Sequence, residues 1–393
     1  MSSNTRPRLA AERMARIPPY LFAEMDRRVQ AKKAAGVDVI SLAIGDPDLP
    51  TPERIVRRLQ EAAADPANHQ YPSYYGLKSL REAIAGWYRE RFAVDLDPET
   101  EVLPVLGSKD GISHAPLALL GPGDVALAPS PGYTVYVTSA IMADADPVLL
   151  PLTAERGWLP DFDAIAKADL DRARIMWLNY PNNPTAAVAS KEFFETAVKV
   201  AREHDIVLLH DAPYSEIYFG TEGPPSLLSI PGGKDVGVEF HSLSKTYNMT
   251  GWRLGWLCGR ADVIEVVAQL KTNMDSGIFQ AIQIAGIEAL TGGEAETRAA
   301  CEVYARRHRK VADALNAAGW DVSPPEATFY VWAPVPPGMD SIGFANLVLD
   351  QVGVVITPGV GFGPHGEGWF RLSVTAPESR LDEALERLSR LSV

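Results

Sequence analysis

Apolar residues along the chain gather into short uninterrupted runs, separated by longer amphipathic stretches. The runs at 102–106, 125–128, 148–150, 175–178, 206–210, 237–241 and 255–258 are too short for helices. Most of them do not alternate apolar with polar, which predicts strands buried on both faces, as in a parallel sheet. Between most of them, apolar spacings of three and four predict helices over 108–120, 134–142, 161–168, 190–203 and, after the last run, 261–271. Strand and helix in alternation imply βαβ crossovers. Ahead of this block the pattern predicts helices over 24–35 and 80–92, a short strand at 39–42, and a helix opened by Thr51 and Pro52 that runs to 64.

Beyond Lys271 the pattern changes. Helices are expected over 279–290, 295–318 and 342–352, with another from Glu378, and strands at 329–333, 354–356 and 370–374. This grouping predicts a smaller α+β unit. The expected division is 1–48 as an N-terminal arm with part of the small domain, 49–285 as the large domain and 286–393 as the small one.

Composition narrows the picture. A chain of 393 residues is too long for one small core, and 46% hydrophobic with 22% charged residues is ordinary for a soluble globular protein. The net charge of −13 argues against a nucleic-acid partner. A local positive site remains compatible with it. No apolar run approaches the ~20 residues that span a bilayer, so no membrane role is expected. Residues 1–16 are polar and Arg-rich, unlike a secretory signal, and 1–13 read as a mobile tail. Ile17, Pro18, Pro19, Tyr20, Leu21 and Phe22 read as an arm packed on another surface. Cys258 and Cys301 form no CxxC pair, which fits a reducing cytoplasm.

In an open α/β sheet, ligands bind beyond the carboxyl ends of the strands. Four polar stretches stand there: Gly107-Ser108-Lys109, the run 179–185, Asp211 to Tyr214, and Ser242 to Lys245. Lys245 lies between Ser244 and Thr246 and eight positions before Arg253, with apolar flanks. Desolvation and a neighbouring cation both disfavour the ammonium, and a neutral amine forms a Schiff base with a carbonyl. The hydroxyls and the guanidinium suit a phosphate. Lysine, hydroxyls and arginine together suggest pyridoxal 5′-phosphate; an ordinary loop lysine is the competing reading. Gly107-Ser108-Lys109 opens a helix whose free N–H groups suit a phosphate, or is a plain cap. Asp211 follows an apolar strand and needs a cation, either a pyridinium nitrogen or a structural partner. Tyr214 and Asn183 are placed to hold a phenolic oxygen, although Asn183-Pro184 also reads as a simple turn.

Together, Asn182-Asn183-Pro184-Thr185, Asp211 and Tyr214 three residues on, Ser242-Leu243-Ser244-Lys245 and Arg253 resemble the class I/II, fold-type I pyridoxal-phosphate aminotransferases. The resemblance covers nearly the whole chain. Within that family, 42–50, 179–185, 241–253 and 327–332 are most similar to bacterial LL-diaminopimelate aminotransferases of lysine biosynthesis. It implies an α/β fold with a mainly parallel seven-stranded sheet, pyridoxal 5′-phosphate as cofactor, amino-acid and 2-oxo-acid substrates, and a homodimer with shared active sites. By position, it implies that Lys245 is the Schiff-base lysine and proton shuttle and that Asp211 binds the pyridine nitrogen. Asn183 and Tyr214 would hold the phenolic oxygen. Ser108, Lys109, Ser242 and Arg253 would hold the phosphate, with Tyr71 reaching in from the neighbouring subunit. Tyr133 would stack on the cofactor ring. Arg371 would clamp the substrate α-carboxylate, with Gly45, Asn183, Lys109 and Tyr20 completing the substrate site.

The sequence departs from the family in three places. Ala186 replaces a glycine, which is tolerable if its φ stays negative. Tyr74 and Tyr75 stand where plant-type enzymes carry an acidic residue, and an asparagine expected near Gly277 is missing. Other readings are an aspartate, alanine, aromatic or N-succinyl-diaminopimelate aminotransferase, or a lyase on the same fold. A nucleotide-binding oxidoreductase fails because Gly359-Val360-Gly361-Phe362-Gly363 precedes a strand, not a helix.

Overall fold

In a computed structural model that describes residues 10–17 and 21–391, the apolar runs become strands. In chain order these are β1 (Ile40–Ser41), β2 (Val102–Val105), β3 (Val125–Ser130), β4 (Asp146–Pro151), β5 (Ala173–Leu178) and β6 (Val207–Asp211). They continue with β7 (Gly237–Ser242), β8 (Gly255–Gly259), β9 (Tyr330–Pro334), β10 (Val354–Val355), β11 (Thr357–Pro358) and β12 (Trp369–Ser373). Seven of them form one sheet in the order β2-β8-β7-β6-β5-β3-β4. From β4 to β7 the neighbours are parallel, whereas β8 runs antiparallel to both β7 and β2. The link from β7 to β8 holds the short helix Leu243–Thr246 and a 3-10 turn, Thr250–Trp252, and the chain turns straight back. β2 thereby shares the direction of β3 to β7, and the carboxyl ends of those strands lie along one edge.

Cores on both faces explain the unalternated runs. Leu209, Trp177, Val238, Phe240 and Leu257 face one, with Ile112, Tyr136 and Val267 from the covering helices. Leu127, Met176 and Leu208 face the other, against Phe194, Val198 and Ala201. The latter three lie on helix Lys191–His204, where Ser190 Oγ accepts from Phe193 N at 3.3 Å to cap the start. Asp205, at φ 54, ends it.

The C-terminal part builds its own core around Phe329, Val331, Phe344, Phe370 and Leu372. There β12 lies between β11 and β9, antiparallel to both. β1 pairs in parallel with β10, and Ser373 N donates to Leu42 O at 2.7 Å. Residues 40–45 are therefore carried by the C-terminal part. Among the described residues no helix is long and apolar enough to cross a membrane.

Three local expectations change. The helix expected over 161–168 is a 3-10 turn, Phe162–Ala164, and a separate short helix, Lys167–Leu170; Phe162 is the one buried residue of the two, too little to hold a longer amphipathic helix. The tail expected over 1–13 does not extend that far: Glu12–Ala15 form a 3-10 turn, and Arg16 Nη2 donates to Ala145 O at 2.7 Å. Residues 1–9, and Pro18, Pro19 and Tyr20 of the expected arm, lie outside the described residues. Ala186 does not keep a negative φ. It sits at φ 62, held by its N–H donating to Asn182 O at 2.9 Å. An alanine in that left-handed region costs about 1 kcal/mol, which the surrounding Asn182–Thr185 hydrogen bonds offset.

Candidate active site

Ser242 ends β7, and its Oγ accepts from Ser244 N at 3.1 Å, capping the short helix Leu243–Thr246. That turn aims Lys245 back over the carboxyl ends of the strands. Its Nζ donates to Gly45 O at 2.7 Å and lies 5.5 Å from the centre of the Phe329 ring. Burial brings the ammonium down to about 8. The charges of Arg371 and Arg253 push the same way, while Asp46 and Asp211 oppose them. The Gly45 approach needs a glycine, because the Tyr330 phenol occupies the space of a Cβ.

Asp211 closes β6 and is buried. Its Oδ2 accepts from Tyr136 OH at 2.6 Å. Its Oδ1 is buried with no hydrogen-bond partner among the described residues. Burial pushes the carboxyl up to about 6, with the Tyr136 hydrogen bond and the charges of His210 and Lys245 holding it lower than burial alone would. A buried carboxylate with one oxygen unused is a site for a cationic N–H.

Asn183 and Arg371 meet directly, Arg371 Nη1 donating to Asn183 Oδ1 at 2.7 Å. Arg371 Nη2 donates to Ala43 O at 2.6 Å. The guanidinium lies 4.2 Å from the centre of the Tyr330 ring and 4.6 Å from that of Phe362, so its plane is held for bidentate pairing. Tyr214 OH shares a 2.9 Å hydrogen bond with Tyr330 OH. Tyr133 stands edge-on to Tyr136, with ring centres 5.8 Å apart.

On the far side, Gly107 at φ 82 starts helix Ser108–Leu119 without a side-chain cap. The first N–H groups of a helix have no partner within it. Arg253, at φ 57, donates from Nη2 to Leu106 O at 3.3 Å, and a Cβ on Gly107 would run into its guanidinium. An uncapped helix start, the Ser242 hydroxyl and a guanidinium form a donor set for a phosphate. Cation, carboxylate and phosphate donors thus fit pyridoxal 5′-phosphate.

The structure brings Lys245, Asp211, Asn183, Tyr214, Arg371 and Gly45 to one edge of the sheet, beside Ser108, Ser242 and Arg253. Lys109 is exposed, and its place in the set is its backbone position at the helix start. Tyr71 is 87% exposed and turned to solvent. Tyr20 lies outside the described residues. Sequence reasoning missed Tyr136 and Tyr330. Tyr136 follows Tyr133 at helical spacing and reads as core, while Tyr330 lies in a strand quoted for its resemblance and given no task.

Residues 37–388 match the family model for aminotransferases of class I and II. Among curated relatives, an LL-diaminopimelate aminotransferase of Desulforudis audaxviator is 53% identical, covering 96% of each chain. That of Moorella thermoacetica is 50% identical over 97% of this chain and 98% of its own. Among solved structures, substrate-bound BacF from Bacillus subtilis superposes with a TM-score of 0.94 at 37% identity, covering 98% of each chain.

Proposed function

Because the chain belongs to the class I and II aminotransferases, we propose that it moves the amino group of LL-2,6-diaminopimelate to 2-oxoglutarate with pyridoxal 5′-phosphate as cofactor. The observation that carries the reaction class is the meeting of Lys245, the unused Asp211 Oδ1 and Arg371 in one cleft. The donor is supported by the names of the two near-full-length relatives.

When bound, the cofactor supplies an aldehyde for amino groups and a cationic ring that takes up the electrons left as the Cα proton departs. The chain's own residues supply the rest. Asp211 Oδ1, buried without a hydrogen-bond partner among the described residues, would accept the ring N–H and keep it protonated. The Gly107–Lys109 helix start, Ser242 and Arg253 would hold the phosphate, and Tyr133 would stack on the ring. Tyr214 and Asn183 orient the phenolic oxygen. Arg371 pairs with the substrate α-carboxylate, presenting Cα to Lys245 Nζ, which accepts the proton as an amine and returns it as an ammonium. Burial makes that exchange accessible near neutral pH.

The division into an arm with part of the small domain (1–48), a large domain (49–285) and a small domain (286–393) belongs to the same proposal. It is supported by β1 pairing with β10. A cytoplasmic location is supported by the free thiols of Cys258 and Cys301.

The substrate is tested by comparing kcat/KM for LL-diaminopimelate, its meso isomer, aspartate, alanine and an aromatic donor, each with 2-oxoglutarate. The LL isomer is expected to lead clearly. A lead for aspartate, alanine or the aromatic donor would sink the substrate and leave the chemistry standing.

The active unit is proposed as a homodimer. Tyr71 is 87% exposed, Tyr74 and Tyr75 flank the same loop with 43% and 51%, and Met274 is 55% exposed. An apolar, tyrosine-rich loop of this kind suits burial against a second copy. Mixing Tyr71→Ala subunits with Lys245→Ala subunits should recover activity, because each mixed dimer has one site with both residues intact. No recovery from verified heterodimers would argue that each site is complete within one subunit.

A further inference from the structure

Behind Asp211, on the opposite face of the sheet, lies a buried polar group that the reaction does not use. His210 on β6 and Glu239 on β7 are direct neighbours in register. Both are essentially inaccessible, at 1% and 0% exposure. His210 Nδ1 is 2.8 Å from Glu239 Oε1, and His210 Nε2 is 3.0 Å from Tyr180 O. A carboxylate oxygen and a backbone carbonyl both accept hydrogen bonds. A ring facing acceptors at both nitrogens satisfies them only when both nitrogens carry a proton.

The surroundings of Glu239 favour its ionised form. Leu227 N donates to Oε1 at 2.8 Å, while Ser226 Oγ at 2.5 Å and Tyr88 OH at 3.1 Å donate to Oε2. Burial alone would raise its carboxyl, but its hydrogen-bonded neighbours, His210 foremost, outweigh burial and hold it far below the usual range. The other titratable groups facing the pair are Cys258, which burial keeps a neutral thiol, and His241, whose Nε2 is 3.9 Å from Glu239 Oε2.

The pair reaches the active site by two short routes. One is covalent, His210 being the residue before Asp211. The other is the Tyr180 carbonyl, in the turn that carries Asn183. That turn is tied back to Asp211 as well: Asn179 Nδ2 donates to Asp211 O at 2.7 Å, and Asn179 Oδ1 accepts from Asn183 N at 2.8 Å.

We propose that Glu239 holds His210 as a doubly protonated imidazolium, and that this buried ion pair is a positioning device that fixes Asp211 and the Asn183 turn and favours the ionised form of Asp211. The effect on the cofactor rests on the reading given under Proposed function; the charge state of His210 does not. The positive charge behind Asp211 acts against the burial that would otherwise neutralise its carboxylate.

The test is nitrogen-15 NMR of the full-length holoenzyme at pH 7.5 with labelled histidine, the His210 signals being assigned by their loss in His210→Gln. Both ring nitrogens are expected to be of the protonated type. A pyridine-type nitrogen at His210 would overturn the proposal, whatever the variants do. In Glu239→Gln the ring should acquire such a nitrogen. The dissociation constant for pyridoxal 5′-phosphate should rise by about tenfold, the lower end of the effect of removing a hydrogen-bond partner behind a metal ligand. A folded Glu239→Gln with wild-type cofactor affinity would refute the positioning role. If that variant does not fold, the affinity of His210→Gln decides the same point. Failure of the cofactor reading itself would look different: the wild type would bind no pyridoxal 5′-phosphate, with the histidine spectrum unaffected.

Discussion

Replacing Lys245 with alanine is expected to abolish turnover, by roughly 10⁴-fold or more, since the proposal gives one side chain both the cofactor and the proton. The visible absorbance of the bound cofactor should go with it. The fold should survive, because the side chain gives up a single hydrogen bond, to Gly45 O, and the melting temperature reports on that. Borohydride-reducible cofactor attached to a different lysine in the variant would show the assignment to be wrong. The wild type carries a matching pH signature. Burial brings Lys245 down to about 8, so the reactive amine grows through that pH. Capture of pyridoxal 5′-phosphate by the apoprotein should therefore accelerate with a midpoint near 8. A midpoint close to that of a free lysine, ~10.4, would mean that the site does not desolvate its nucleophile.

The second large effect is expected at Asp211. Asp211→Asn keeps an oxygen for the Tyr136 hydroxyl but removes the charge proposed to keep the ring nitrogen protonated. Cofactor should still bind, while removal of the Cα proton slows by roughly 10³-fold. Single-turnover rates equal to the wild type would dismiss the role. The apoprotein offers a check that needs no substrate. Burial raises the Asp211 carboxyl to about 6, so the folded state binds its proton more tightly than the unfolded chain does. That contribution to stability is complete below the ordinary aspartate value and is lost as pH rises through about 6. The loss is about 3 kcal/mol for an isolated group. Asp211→Asn should flatten this part of the stability curve, and added cofactor should restore stability to the wild type at neutral pH. A wild-type apoprotein with flat stability from pH 4 to 7 would mean that Asp211 is already paired.

Much of this architecture was legible because its causes are local. Runs such as 125–128 and 206–210 are apolar on both faces, and that alone predicts buried strands. Lys245, Asp211 and Asn183 follow such strands, so the rule placing ligands at carboxyl ends already gathered them. The segment at 161–168 was misread because its helical periodicity has a single buried anchor, Phe162. Ala186 was misjudged because residue type suggests a negative φ, while the turn around Asn182 imposes φ 62.

By itself the sequence determined the order of strands and helices, the two kinds of core and the reactive groups, since hydrophobic period and residue chemistry are properties of neighbouring positions. Tertiary structure decided the partners. It set β8 antiparallel between β2 and β7, and carried Gly45 on the β1–β10 pair to Lys245, 200 residues away. It gave Asp211 the Tyr136 hydroxyl, Tyr214 the Tyr330 hydroxyl and Arg371 the Asn183 amide. It also placed His210 between two acceptors, Glu239 and the Tyr180 carbonyl. Partners of this kind depend on register and packing between distant segments. A buried polar group takes whichever partner the completed fold puts within 3 Å, because leaving it unpaired costs about 1–3 kcal/mol.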